Sequence, residues 1–157
     1  MNKHNGNIII PILLVEDDAD DIAITKRALA KAKISNPLYV VRDGEEALEY
    51  LTHSGRYTDP EKAPKPGLIL LDLNMPRLDG REVLDQIKKD PLLHRIPVVV
   101  LTTSDEDADV LGCYDRGANT YITKPVDFDG FMQSVITIGT YWLFIASVPD
   151  IFVAEGV

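Results

Sequence analysis

The 157-residue sequence is short of cysteine, of basic charge and of long apolar runs, and each shortage closes off a class of protein. Cys113 is the only cysteine, so no internal disulfide can staple the chain in the manner of a small extracellular scaffold. No hydrophobic signal region stands ahead of a cleavage site at the N-terminus, which together with the lone thiol points to a reducing, cytoplasmic setting. The richest apolar run, Ile136 to Val148, is broken by Gly139, Thr140 and Ser147. It falls short of the roughly 18 uninterrupted apolar residues of a spanning helix, so a soluble protein without a membrane partner is expected. Lys and Arg number 16 against 25 Asp and Glu, a formal net charge of -9. A sequence-independent grip on nucleic acid needs clustered basic side chains to displace counterions, so no nucleic-acid partner is expected either.

What is present is an ordinary globular mixture, 45% hydrophobic and 26% charged, long enough to bury a core as one domain. Five short β-branched runs alternate with helical patterns, the signature of a parallel sheet covered on both faces. The runs predict strands over Ile8–Val15, Leu38–Arg42, Gly67–Leu71, Pro97–Leu101 and Thr120–Thr123. Helices are predicted over Ala19–Ala32, Glu45–His53, Arg81–Lys89, Glu106–Arg116 and Phe128–Ile145. Asp43-Gly44 and Asp79-Gly80 supply turn chemistry ahead of the second and third helices, and Gly117 suits a left-handed stop after the fourth. Gly55 to Gly67 holds three prolines and little periodicity, and reads as an extended loop. The expected organisation is an N-terminal tail over 1–7, one domain over 8–146 and a C-terminal tail over 147–157, with nothing left over for an output domain. The fold class is α/β, a doubly wound five-stranded parallel sheet of the (βα)5 flavodoxin-like kind, in strand order 2-1-3-4-5.

In such a sheet ligands collect beyond the carboxyl ends of the strands, and here those positions are strongly non-random. The first strand is followed by Glu16, Asp17 and Asp18, the third by Asp72, the fourth by Thr102 and Thr103, and the fifth by Lys124. Gathered carboxylates repel one another unless cations compensate, which makes Mg²⁺ with oxygen ligands the natural filling. Glu16, Asp17 and Asp72, if all ionised, are balanced by Mg²⁺ and Lys124. Mg²⁺ keeps waters and completes its shell with phosphate oxygens, so the site invites a phosphoryl group. A carboxylate can itself accept that group as an acyl phosphate, and Asp72 on the central strand is the candidate.

The segments Leu14-Val15-Glu16-Asp17-Asp18, Leu71-Asp72-Leu73-Asn74-Met75-Pro76, Asp79-Gly80, Leu101-Thr102-Thr103 and Tyr121-Ile122-Thr123-Lys124-Pro125 together resemble the receiver domain of two-component response regulators. The likeness runs over about residues 8 to 146. The long loop before the third strand, the run Arg95 to Ser104 and the Tyr141-Trp142 ending look most like the single-domain cyanobacterial-phytochrome class. The resemblance implies that Asp72 is phosphorylated by a histidine kinase, plausibly a phytochrome. It implies that Asp17 binds Mg²⁺ directly, Glu16 through water and Asn74 through its backbone carbonyl. Thr102 would bond a phosphoryl oxygen, Lys124 would pair with it, and Tyr121 would be the aromatic switch. The phosphoryl group would bias the surface made by helix four, strand five and helix five, passing the signal to an unknown downstream protein. Lys124-Pro125 is expected to be a cis peptide.

Asp18, Asp20 and Asp21 read instead as capping and dipole-complementing residues. Cys113 reads as a small packing residue, and His4, His53 and His94 are too dispersed for a role. In the last helix, Phe128, Phe131, Val135, Ile138, Trp142 and Ala146 share one stripe. Tyr141 and Phe144 fall roughly 220° and 160° round from Phe128, an exposed apolar face that predicts a homodimer. Three rival functions are weaker. A metal-dependent aspartyl phosphohydrolase needs an acid two residues after its nucleophile, where Asn74 stands, so only slow self-dephosphorylation is expected and not an enzyme. A flavin phosphate would be repelled by Glu16-Asp17-Asp18, and a phosphorylation-independent dimeric scaffold would leave the acidic pocket unexplained.

Overall fold

The structure, a computed structural model, describes residues 9–147; the N-terminal tail predicted over 1–7 and nearly all of the C-terminal tail lie outside the described residues. Five parallel strands, β1 (Ile12–Val15), β2 (Leu38–Val41), β3 (Leu68–Leu71), β4 (Val98–Thr102) and β5 (Thr120–Thr123), form one sheet in the order β2-β1-β3-β4-β5, as expected. Five helices connect and follow them: α1 (Ala19–Lys31), α2 (Gly44–Thr52), α3 (Gly80–Lys89), α4 (Asp107–Asp115) and α5 (Phe128–Thr140). β1, β3 and β4 are buried along their whole length, because helices cover both faces of the sheet.

Alternation within each strand divides the core in two. Leu13, Val15, Ile69, Leu71, Val98 and Val100 meet Ala47, Tyr50, Val83, Leu84, Ile87 and Cys113 from α2, α3 and α4. Ile12, Leu14, Leu68, Leu70, Val99 and Leu101 meet Ile22, Ala28 and Leu29 of α1 and Phe131, Val135 and Ile138 of α5. A Leu or Ile to Ala change in either layer costs about 2–5 kcal/mol.

Several boundaries move for local reasons. β1 begins at Ile12 rather than Ile8, since Pro11 has no N–H for the ladder and Ile9 is exposed. α5 ends at Thr140 and gives way to a π-helical turn over Tyr141–Ile145, closed by Ala146 N–H donating to the Tyr141 carbonyl at 2.7 Å. The loop between α2 and β3 is not extended: it contains a 3₁₀ turn at Gly55–Tyr57, sets the Tyr57 and Tyr50 rings edge to face and buries Ala63 fully. The Tyr50 hydroxyl donates to the Pro64 carbonyl at 2.7 Å. Every peptide bond among the described residues is trans, so the expected cis Lys124-Pro125 bond is not found; trans is the lower-energy form of an X-Pro bond where nothing enforces the other.

Candidate functional site

Register brings the predicted residues to one rim. Val15 lies opposite Leu71, and the Asp72 N–H donates to the Val15 carbonyl at 3.0 Å, so Glu16 and Asp72 leave the sheet side by side. Leu71 opposite Val100 carries Thr102 one residue beyond the level of Asp72, making it the last residue of β4 rather than the first after it. Thr102 opposite Thr123 sets Lys124 at the same edge, where its N–H donates to the Thr102 carbonyl at 2.6 Å.

Glu16, Asp72, Thr102 and Lys124 are buried, and Asp17 is half-buried beside them. The Lys124 ammonium touches Glu16 Oε1 directly, lies 2.8 Å from Asp21 Oδ2 and 3.6 Å from Asp72 Oδ2. Its other side faces the Phe131 ring, 5.8 Å to the centroid. Burial disfavours the charge on Lys124, but its hydrogen bonds to Asp21 and Glu16 outweigh that and hold its pKa above the ordinary value. Burial pushes the Glu16 carboxyl well above the usual carboxylate range, with Asp72 adding to the shift and the Lys124 hydrogen bond opposing it. In the protein alone the Glu16 carboxyl therefore holds its proton more tightly than an ordinary carboxylic acid.

Oxygen atoms of Glu16, Asp17 and Asp72 come within 4.8 Å of one another. Asp17 and Asp72 border an open cavity of about 610 Å³ lined also by Asp21, Asn74, Thr103 and Lys124. All-oxygen donors of this number and spacing fit a hard divalent cation such as Mg²⁺, which binds through one or two carboxylates and keeps waters. Asn74 stands over the opening, its Nδ2 3.4 Å from Thr102 Oγ1 and its N–H 3.5 Å from Asp72 Oδ1. Tyr121 is half-buried, and its hydroxyl donates to the Ser104 carbonyl at 2.7 Å.

Asp21 belongs to this constellation, although the sequence suggests only a solvated helix start. Asp18 is the cap, accepting from the N–H groups of Asp20 and Asp21 at 2.8 and 3.1 Å. That leaves the Asp21 carboxylate free to reach Lys124. Nothing in the sequence separates it from Asp20, since both are acids in the first turn of α1. Tyr141 and Phe144, the candidate interface pair, lie away from the rim and are 49% and 57% exposed, with Ile145 beside them at 69%.

The receiver domain family of response regulators matches residues 12–136. Response regulator Rcp1 of Synechocystis sp. is 44% identical over 138 residues, covering 88% of this chain and 92% of its own length. The phosphorylated cyanobacterial phytochrome response regulator RcpA superposes with a TM-score of 0.86 at 45% identity, over 91% of this chain and all of its own. The Mn²⁺-bound form of Rcp1 superposes with a TM-score of 0.83 at 43% identity, over 89% of this chain and 99% of its own.

Proposed function

The chain belongs to the response regulator receiver family, and on that premise we propose that Asp72 is its phosphoacceptor, phosphorylated by a histidine kinase of the phytochrome kind. The observation that carries the assignment is the placement of Asp72: a buried carboxylate beside an acidic pair on one side and the Lys124 ammonium, 3.6 Å away, on the other. Glu16, Asp17, Asp72 and the Asn74 carbonyl would hold Mg²⁺, which when bound neutralises charge on the transferring group. An Asp72 oxygen attacks phosphorus, and the bond to the donor's histidine nitrogen breaks. Lys124 pairs with a phosphoryl oxygen, and Thr102 donates its hydroxyl to another. The new charge and acceptors draw Thr102 and Lys124 inward, and Tyr121, bonded to the loop after Thr102, carries the change to α4, β5 and α5.

The likeness to RcpA, a phytochrome response regulator, supports a phytochrome as the upstream partner of this chain too. The phosphoryl group is lost by slow self-dephosphorylation, and no external phosphate ester is turned over. The working unit is the domain over 8–146, cytoplasmic, and paired with a second copy through Tyr141 and Phe144. Among the described residues no helix is long and apolar enough to cross a membrane.

Incubation with acetyl phosphate tests the reading. A phosphate-affinity gel should show a shifted band that requires Mg²⁺, disappears with EDTA and is missing from Asp72→Asn. A band that persists in Asp72→Asn overturns the assignment.

A further inference from the structure

α4 is attached to the body differently from the other helices. Cys113 is its single buried side chain, whereas each of the others buries several, and Leu111 and Tyr114 on it are exposed. Polar contacts do the rest. Arg81, the second residue of α3, donates from Nη2 and Nε to Asp109 Oδ1 at 2.7 and 3.2 Å, and from Nη1 to both oxygens of Asp79 at 3.0 and 3.1 Å. The Ser104 hydroxyl donates to Asp109 Oδ2 at 2.5 Å. At the other end of α4, Arg116 pairs with Asp85 at 3.3 Å, and the Tyr114 hydroxyl accepts the Tyr121 N–H at 3.1 Å.

Ser104 is where this network meets the chemistry. It lies two residues after Thr102 and directly follows Thr103, which lines the cavity with Asp72. Its carbonyl accepts the Tyr121 hydroxyl. A serine hydroxyl has one proton to donate, and in this structure Asp109 takes it. The Asp109 carboxylate is kept ionised by that hydrogen bond and by Arg81, which hold its pKa below the ordinary value. The loop after β4 is thus tied at Ser104 to α4 and to β5, and through Asp109 and Arg81 to α3.

We propose that Asp109, held by Arg81, is a positioning residue that governs the lifetime of the aspartyl phosphate by withholding the Ser104 hydroxyl from the phosphoryl pocket. The inference rests on Asp72 being the phosphoacceptor. In the hydrolysis, a water oxygen attacks phosphorus, and the bond from phosphorus to the Asp72 carboxylate breaks with its electron pair on the carboxylate. Inorganic phosphate leaves, and the water proton passes to it or to solvent. A Ser104 hydroxyl released from Asp109 orients that water or donates to the phosphoryl oxygens. The same release loosens α4, which has little apolar burial to hold it.

The test is a double-mutant cycle on the full chain, labelled with acetyl phosphate and Mg²⁺ and then desalted, with release of inorganic phosphate followed in time. Asp109→Ala should shorten the half-life roughly three- to tenfold, the scale of one net hydrogen bond. Ser104→Ala should not shorten it, and the double variant should match Ser104→Ala. In unphosphorylated protein, Arg81→Gln and Asp109→Ala should both hasten amide exchange in α4. An unchanged half-life in Asp109→Ala overturns the proposal, as does the same shortening with and without Ser104, which would mark a merely structural effect. Wild type that takes no label at Asp72 overturns the phosphoacceptor reading itself, a result distinct from either.

Discussion

At the scale of single residues, Lys124 organises the site by serving three carboxylates on one ammonium. A buried cation with one partner would be poorly compensated, whereas Glu16, Asp21 and Asp72 satisfy it from three directions. Glu16, Asp17, Asp72, Thr102 and Lys124 were legible in the sequence because they stand at the strand ends, where the apolar run stops and a polar residue needs a reason. Asp21 was not, because a helix start rich in acid has a sufficient explanation in capping and dipole. Phe128 was misplaced for a similar reason. Angular periodicity puts it on the core stripe, but as the first residue of α5 it is 43% exposed, with the Arg27 guanidinium 5.4 Å above its ring. Cys113 is the packing residue expected: it is fully buried, and burial raises its thiol pKa, the nearby Arg81 and Arg116 opposing only in part. Native protein should therefore resist Ellman's reagent at mildly alkaline pH and react fully once unfolded. The sign of the linkage follows. Above the ordinary thiol value the unfolded chain releases the proton that the folded chain keeps, so this group lowers stability as pH rises there. Rapid labelling of the native protein would contradict the buried placement.

At the scale of elements, the two Asp-Gly pairs carry more than turn chemistry. Asp43 and Asp79 do cap α2 and α3, accepting from Glu46 and Arg81 N–H at 2.7 Å each. The glycines are there for close approach. A Cβ on Gly44 would stand 2.1 Å from the Leu78 carbonyl oxygen, and one on Gly80 would stand 2.2 Å from that of Asp72. A pattern of one-letter codes shows the turn but not the backbone that passes beside it. Gly80→Ala is expected to lower unfolding free energy by about 1–3 kcal/mol in urea and to slow labelling, because the displaced atom is the acceptor's own backbone. Gly112→Ala, in α4, meets only the end of the Arg116 side chain at 3.1 Å. It should be neutral or stabilise by up to about 1 kcal/mol through helix propensity. Equal losses in the two variants would contradict the close-approach account. Strand and helix order were readable throughout, since both faces of the sheet are covered and the strands stay apolar. The ends were not, where Pro11 delays β1 and the π turn replaces the last stretch of α5.

At the scale of the whole molecule, chain order fixes where the chemistry can sit. The order β2-β1-β3-β4-β5 places the reversal between β1 and β3, and their carboxyl ends deliver Glu16, Asp17 and Asp72. The long helix pair α1 and α5 covers one face, so α5 can extend past the core and present its far side outward. Phe131, Val135 and Ile138 face inward as the periodicity indicated, and Tyr141 and Phe144 face solvent. Their exposure was expected from the helical angle, although they stand on the π turn that follows α5; a partner, by contrast, leaves no periodicity in the chain. If a second copy does, wild type should elute as a dimer by light scattering, and Tyr141→Ser with Phe144→Ser should elute as a folded monomer. A wild type that stays monomeric at every concentration would contradict the proposed pairing. The central claim is that phosphoryl transfer ends on Asp72, and trapping of the acyl phosphate tests it most directly. Protein phosphorylated with acetyl phosphate and Mg²⁺ is reduced with borohydride, digested and sequenced by mass spectrometry. Homoserine at position 72, dependent on Mg²⁺, is the predicted result; homoserine at Asp17, Asp21 or any other acid, with Asp72 unaltered, would contradict it.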